Sequence, residues 1–344
     1  MNHKQRPLGS GFTPASTAQE VIAGIDLADK NVIITGGHTG IGLEVTRALA
    51  GAGASVTTVS RDPDRAERAL AGIGDVEADR LDLLDPASID AFAARRLETG
   101  RPLHLLINNA GVPSPARRTV DARGYEVQFA TNHLGHFQLT LGLLPALRAA
   151  RGARVVNVTS GAQRLSGIHW DNLHFATDYE PTMAYAQSKT ANVLFTVELD
   201  RRWAPAGIRG YATHPGIVVG TGLNGAAGEE SLRAMGLIDE SGRPVIDPER
   251  ERKTPQQGAA TVVFAATSPL LVDIGGVYLR NSDISELDDE PKAFDPRHPN
   301  STVTSHSIDP ESARRLWRRS EELLASPGAP VGRTGHRRPE PAGP

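Results

Sequence analysis

Tyr185 and Lys189 stand four residues apart in Tyr185-Ala-Gln-Ser-Lys189. On a helix that spacing puts a phenol and an ammonium on one face. A phenol is a weak acid at neutral pH, with an ordinary pKa of about 10. A fixed cation beside it favours the phenolate and lowers that value. Such a phenol can protonate an alkoxide as hydride reaches its carbon, or deprotonate an alcohol in reverse. Alone, the Y-x-x-x-K pattern fits a solvated helix face equally well. Ser160, upstream at the end of an apolar run, adds a hydroxyl that could hold a carbonyl oxygen.

A second group of residues suits a phosphate. In N-V-I-I-T-G-G-H-T-G-I-G-L-E-V (31–45), Val32, Ile33 and Ile34 form a β-branched run with no polar alternation. That is the pattern of a strand buried on both faces. Gly36, Gly37, Gly40 and Gly42 follow, and then Ile41, Val45 and Leu49 at the spacing of one helical stripe. A strand, a glycine turn and a helix N-terminus present free N–H groups and a positive helix end to an anion. The gap of three between Gly36 and Gly40 differs from G-x-G-x-x-G, so glycine content alone leaves some other α/β turn open.

These residues require an alternating scaffold. Strands are expected at 55–60, 76–81, 103–107, 154–158, 209–213 and 276–279 besides the first, with helices at 64–71, 86–96, 125–150 (interrupted by Pro145), 183–203, 256–267 and 309–324. Alternation of this kind implies right-handed crossovers and a parallel sheet covered on both faces. The expected fold is a single doubly wound (Rossmann) α/β domain, with a mostly parallel seven-stranded sheet, over residues 26–285. It carries an N-terminal arm (1–25), ordered only in part, and a C-terminal extension with one helix (286–325). The Pro/Gly-rich residues 326–344 are expected to be disordered, and 222–254 to form a substrate lid.

The totals narrow the class. The 344 residues carry 37 basic and 40 acidic side chains, a formal charge of −3 with signs mixed, which argues against nucleic acid or an anionic membrane as partner. The absence of cysteine excludes disulfide and thiolate chemistry. No apolar run reaches the ~18 residues of a membrane span, and the first residues lack a signal-peptide core. A cytoplasmic protein is expected.

The motifs together resemble the short-chain dehydrogenase/reductase family over residues 25–279, in the family's own order. Thr35-Gly36…Gly40-Ile41-Gly42 is similar to the pyrophosphate turn, with His38 and Thr39 at its variable positions. Asp82 with Leu83 matches the acidic position near the adenine, and Asn109-Ala110-Gly111 matches the N-A-G element. Pro215-Gly216 matches the element beside the nicotinamide; Val218 and Thr221 follow, with Thr221 one residue later than in the family pattern, which leaves its role on the nicotinamide amide open. By the same resemblance Asn132, Ser160, Tyr185 and Lys189 are the catalytic tetrad. Asn132 would bend its helix and hold a relay water. Ser160 would bind the oxygen, Tyr185 would act as acid/base, and Lys189 would contact the ribose and lower the tyrosine pKa. The phrases T-N-H-L-G-H-F, V-N-V-T-S and H-P-G, and the 25-residue step from Ser160 to Tyr185, are closer to the retinol dehydrogenase and protochlorophyllide reductase branch. The loop that fills this step, with His169, Trp170, His174 and Phe175, would sit beside the active site.

The resemblance implies an oxidoreductase that interconverts an alcohol and a ketone or aldehyde on a hydrophobic small molecule. Leu232, Met235, Leu237 and Ile238 in the lid agree with such a substrate, or merely pack the lid. Ser60-Arg61 stands where NAD enzymes carry an acid, so NADP(H) is expected over NAD(H), although Asp62 follows. Relatives pair through the helices around Asn132 and Tyr185, which would give a homodimer unless the C-terminal extension blocks that surface. The Ala/Arg/Gly-rich composition suggests a GC-rich bacterial genome, in which such enzymes tailor secondary metabolites.

Competing readings are weaker. Ser160 lacks the G-x-S-x-G elbow of a hydrolase nucleophile, and His133 and His136 lack the H-E-x-x-H or carboxylate partners of a metal site. Sugar-nucleotide dehydratases and epimerases use T-G-x-x-G-x-x-G. The main alternative is a non-catalytic NADP-binding sensor of the same fold; such proteins commonly lose the Tyr/Lys pair that this chain keeps.

Overall fold

The computed structural model describes residues 4–219, 221, 228–290 and 299–326. Its centre is β1 (Asn31–Thr35), whose β-branched side chains are covered on both sides. β1 pairs in parallel with β2 (Ser55–Ser60) on one side and with β4 (Leu105–Asn108) on the other. Around it lie β3 (Val76–Arg80), β5 (Arg154–Val158), β6 (Arg209–His214), β9 (Val277–Arg280) and β10 (Asp283–Ile284). The sheet order is β10-β9-β6-β5-β4-β1-β2-β3, parallel throughout except for β10, which runs antiparallel to β9. The chain winds outward in both directions from β1 and β4, and the crevice above their C-terminal ends is the switch point where such sheets bind ligands.

Among the described residues the sheet has eight strands, where seven were expected. The added β10 is two residues long, too short for any alternation to mark it in sequence. A separate two-stranded ribbon pairs β7 (Ile217–Val218) with β8 (Arg252–Lys253), with the short α9 (Glu229–Ala234) between them in the chain.

Helices cover both faces. α2 (Gly40–Gly51) and α10 (Pro255–Thr267) pack Val45, Leu49, Val263 and Phe264 onto one face, joined by α1 (Ala18–Ile22). α1 is closed by a capping box of Thr17 and Glu20. α3 (Pro63–Leu70) follows β2, and α4 (Pro86–Glu98) follows β3. The other face holds α4, α6 (His136–Gly142) and α8 (Pro181–Trp203). Between the short α5 (Val127–Phe129) and α6 the backbone widens into a π turn over Ala130–Gly135. α7 (Leu144–Ala149) restarts after it with Pro145 in its first turn, where the missing N–H costs nothing.

Two terminal segments are more integrated than their composition suggests. The arm expected to be only partly ordered is docked: the Gln5 carboxamide donates to the carbonyls of Tyr278 (2.7 Å) and Ser285 (2.6 Å) and accepts from the Tyr278 N–H (3.1 Å). The Asp283 carboxylate accepts from the N–H groups of Leu8, Gly9 and Ser10. At the other end α11 (Pro310–Ala325) lies on α8. Trp317 fills the angle between Phe137, Phe195 and Trp203 with its ring under the Arg202 guanidinium, 4.4 Å away. α11 thus covers both helices through which a homodimer would pair. Of the segment expected to be disordered, only Ser326 lies within the described residues.

Candidate active site

The turn after β1 is built for close approach. Gly36 (φ 68°) and Gly40 (φ 52°) take left-handed backbone that side chains disfavour. A Cβ on Gly42 would collide with the Gly36 carbonyl and stand 2.7 Å from Asn109 Nδ2. Thr39 begins α2 without a side-chain cap, so the first-turn N–H groups have no partner within the helix. This cradle fits a pyrophosphate.

The N-A-G element braces that turn from β4. The N–H groups of Asn109 and Ala110 both donate to Thr35 Oγ1 (2.9 Å each), and Asn109 Nδ2 donates to the Thr35 carbonyl (2.9 Å). Thr35 Oγ1 is 2.8 Å from His136 Nε2, and His136 Nδ1 is 3.1 Å from the carbonyl of Asn132. A carbonyl only accepts, so Nδ1 carries the proton, Nε2 accepts, and the Thr35 hydroxyl donates. Burial holds this imidazole neutral, with its pKa pushed down to about 4. His136 therefore ties β1 to the π turn, a link between residues 101 apart in sequence. His133 faces the other way, 2.8 Å from Ser320 of α11.

Asn132 sits fully buried in the π turn. Its Oδ1 accepts from the Val112 N–H (3.2 Å) and its Nδ2 donates to Ser188 Oγ (3.0 Å), which donates to the Tyr185 carbonyl (2.7 Å). Gly135, at the end of the turn, lies so close to Leu83 that a Cβ would stand 2.9 Å from its side chain. The π turn thus touches both α8 and the loop after β3.

α8 carries the phenol and the ammonium. Glu180 caps it by accepting from the N–H groups of Thr182 and Met183. Thr159 fixes the helix to the end of β5 by donating to the Lys189 carbonyl (2.7 Å). Lys189 Nζ donates to the Val158 carbonyl (3.3 Å) and lies 5.5 Å from the centre of the Tyr185 ring. Ser160 Oγ accepts from the Ala162 N–H (3.2 Å).

The electrostatics differ from the expectation of a lowered tyrosine pKa. Burial pushes the Tyr185 phenol up to about 12, and a hydrogen bond with Ser160 only partly opposes this. The same burial pulls Lys189 down to about 8, which weakens the cation meant to favour a phenolate. Tyr185 itself is half-buried, its ring meeting the cavity. In this arrangement burial favours the neutral phenol over the phenolate.

One cavity of about 1340 Å³ joins these parts, above the ~300–1,000 Å³ of common ligand pockets, with space for a dinucleotide and a second molecule. Every catalytic and cofactor-binding residue anticipated from sequence lines it except Asn132, which is buried behind the wall. At the β2 end, Arg61, Asp62 and Arg65 are all exposed at the mouth, and the Asp62 carboxylate caps α3 by accepting from the Arg65 N–H (3.0 Å). His38 lines the same end, and its buried Nδ1 has no partner among the described residues. The Asp82 carboxylate accepts from the Leu84 N–H (3.0 Å). Thr221 donates to the Val218 carbonyl (3.2 Å) opposite Gly40, and its neighbours Gly220 and 222–227 lie outside the described residues.

The substrate end brings corrections. The loop at 168–179 does not line the cavity: His174 stacks on Tyr125 at 4.6 Å, and Trp170 takes Arg315 of α11 over its ring. Its aromatics seal α5 and α11. Residues 299–306 of the extension supply that wall instead, including Asn300, Ser301, Thr304 and His306. Arg164 holds this stretch through the carbonyls of Asp288 (2.7 Å) and Thr302 (3.1 Å). Their polar composition gave no periodic signal. In the lid, Leu237 and Ile238 pack with Val219, while Met235 and Leu237 also reach the cavity.

The family model for short chain dehydrogenase matches residues 30–231. A probable oxidoreductase of Streptomyces lividans is 42% identical over 312 residues, covering 88% of this chain and all of that one. Retinol dehydrogenase 12 of Mus musculus is 37% identical over 307 residues, covering 87% of this chain and 88% of its own. Among solved structures, the RhlG/NADP active-site complex of Pseudomonas aeruginosa aligns with a TM-score of 0.57 at 25% identity, covering 74% of this chain and 95% of that one.

Proposed function

The chain belongs to the short-chain dehydrogenase family, and from that premise we propose that it reduces a ketone or aldehyde on a hydrophobic small molecule with NADPH. The observation that carries the reading is the convergence of the glycine cradle, Ser160, Tyr185 and Lys189 on one cavity.

The bound nicotinamide would supply the hydride. The chain's own residues do the rest. The Ser160 hydroxyl and the Tyr185 phenol hold the substrate oxygen as negative charge develops on it. The phenol gives that oxygen its proton, which its raised pKa keeps available at neutral pH. The Lys189 ammonium then stabilises the phenolate left behind, and Asn132 fixes the π turn behind it. Two exposed guanidiniums, Arg61 and Arg65, with the Asp62 carboxylate capping α3, favour a ribose 2′-phosphate over a free hydroxyl. The relative from Pseudomonas, described as an NADP complex, agrees with that choice.

The test is NADPH and NADH oxidation against a panel of hydrophobic aldehydes and ketones, with Tyr185→Phe beside the wild type. The variant should bind NADPH nearly as tightly and lose at least ~100-fold in kcat. Full turnover in Tyr185→Phe would refute the assignment.

A further inference from the structure

Glu251 ends the lid segment in a left-handed conformation (φ 60°, ψ 9°) that a residue with a side chain rarely holds unless its surroundings impose it. It is buried, lines the cavity, and touches three separate parts of the chain. Its Oε2 lies 3.2 Å from His214 Nε2. Its Oε1 accepts from the Ser301 hydroxyl, with Arg280 at 3.5 Å. Its main-chain carbonyl accepts from the N–H of Ile217 (2.7 Å).

His214 continues the chain of contacts. Its Nδ1 accepts from the N–H of Gly161 (3.1 Å), so the proton sits on Nε2 and is donated to Glu251. Two glycines permit this approach. A Cβ on Gly161 would stand 2.7 Å from Ser301 Cβ, and one on Gly216 would stand 2.9 Å from the Glu251 carbonyl. The carboxylate and imidazole therefore connect the corner after Ser160 to the corner after Pro215, and both corners edge the same cavity.

We propose that Glu251 and His214 are a positioning pair that sets the Ser160 corner against the Pro215-Gly216 corner, with Ser301 as its third member. The C-terminal extension is then part of the active site. This rests on the carbonyl-reductase reading, since Ser160 must meet an oxygen whose carbon faces the nicotinamide beside Pro215-Gly216. The pair acts through the backbone of the two corners, at the N–H groups of Gly161 and Ile217. It keeps two walls of the reacting space in register, where a displacement of about 1 Å can cost about 100-fold in rate.

The experiment compares Glu251→Ala, Glu251→Gln, Ser301→Ala and the double variant Glu251→Ala/Ser301→Ala with the wild type. It measures kcat, KM, NADPH affinity and amide hydrogen exchange of the peptide around Gly161. Glu251→Ala should lose about 100-fold in kcat with NADPH affinity unchanged, and exchange at Gly161 should quicken while β5 and β6 stay protected. Glu251→Gln should recover most of the rate, because its carboxamide oxygen can still accept from His214. Ser301→Ala should cost less, and the double variant should be no slower than Glu251→Ala, since both changes break one network. Unchanged kcat or unchanged Gly161 exchange in Glu251→Ala would overturn the proposal. So would a loss that tracks NADPH affinity or melting alone, or an effect of Ser301→Ala that adds in full. If the wild type turns over no carbonyl, the reaction is wrong, and the exchange measurement decides the pair by itself.

Discussion

Lys189 is 3% exposed, and the Val158 carbonyl at 3.3 Å is the hydrogen-bond acceptor of its ammonium. Burial alone pulls its pKa from 10.5 to about 8. The folded protein gives up this proton at lower pH than the unfolded chain. Below about pH 8 both states are protonated, and the folded state bears the whole cost of a buried charge. At about 1.4 kcal/mol per pH unit that cost is about 3 kcal/mol. Stability should therefore rise as pH climbs from about 8 towards 10.5, where only the unfolded chain still holds the proton. Lys253, also buried and pulled down to about 8, contributes in the same window, so the wild-type slope alone does not isolate Lys189. Lys189→Met does. The variant should be more stable than the wild type at pH 7 by up to about 3 kcal/mol, with the difference shrinking above pH 8. Urea unfolding at half-unit steps from pH 7 to 10 measures it. Parallel stability curves for the two proteins would refute the reasoning. The gain in stability should accompany a fall in NADPH-dependent turnover of about 100-fold or more, because the phenolate loses its cation.

Two further outcomes follow from named contacts. Arg61→Asp should raise the KM for NADPH far more than that for NADH, which steady-state kinetics with both coenzymes would measure; equal effects would show that the guanidinium does not read the 2′-phosphate. Trp317→Ala removes a side chain 3% exposed among Phe137, Phe195 and Trp203 and should destabilise the protein by about 3–5 kcal/mol in urea or thermal unfolding. A loss below about 1 kcal/mol would mean that α11 packs loosely on α8.

The parts that sequence made legible are those whose chemistry is local. Val32, Ile33 and Ile34 announced β1, and Gly36, Gly40 and Gly42 announced the cradle, because strand burial and left-handed backbone each demand particular residue types. Tyr185 and Lys189 were readable from helical spacing, and α8 presents both towards the cleft. What escaped depends on partners far away in the chain. Ser301 meets Gly161 and Glu251, and nothing in a polar run such as P-N-S-T-V-T-S-H foretells that contact. The position of His136, three residues from His133, gives no hint that its ring bonds to Thr35, 101 residues away. That the aromatic residues of the loop at 168–179 face α5 and α11 and not the cavity was not legible, because such residues suit a ligand wall and a helix seal equally. The upward push of burial on the Tyr185 phenol was not legible, because the cation was visible in sequence and the extent of burial was not. β10 has only two residues on which to carry a pattern.

The docking of Gln5 has a practical consequence. Its carboxamide behaves as a stray peptide unit, giving and taking the hydrogen bonds that another strand would otherwise offer Tyr278. An open sheet edge is a template for pairing between molecules. Anyone purifying this protein should therefore mind what is fused at its N-terminus. A tag that drags Gln5 from its seat would unseal the border of the sheet, and clumping on storage would appear well before any loss of the glycine turn after β1, four strands away from β9.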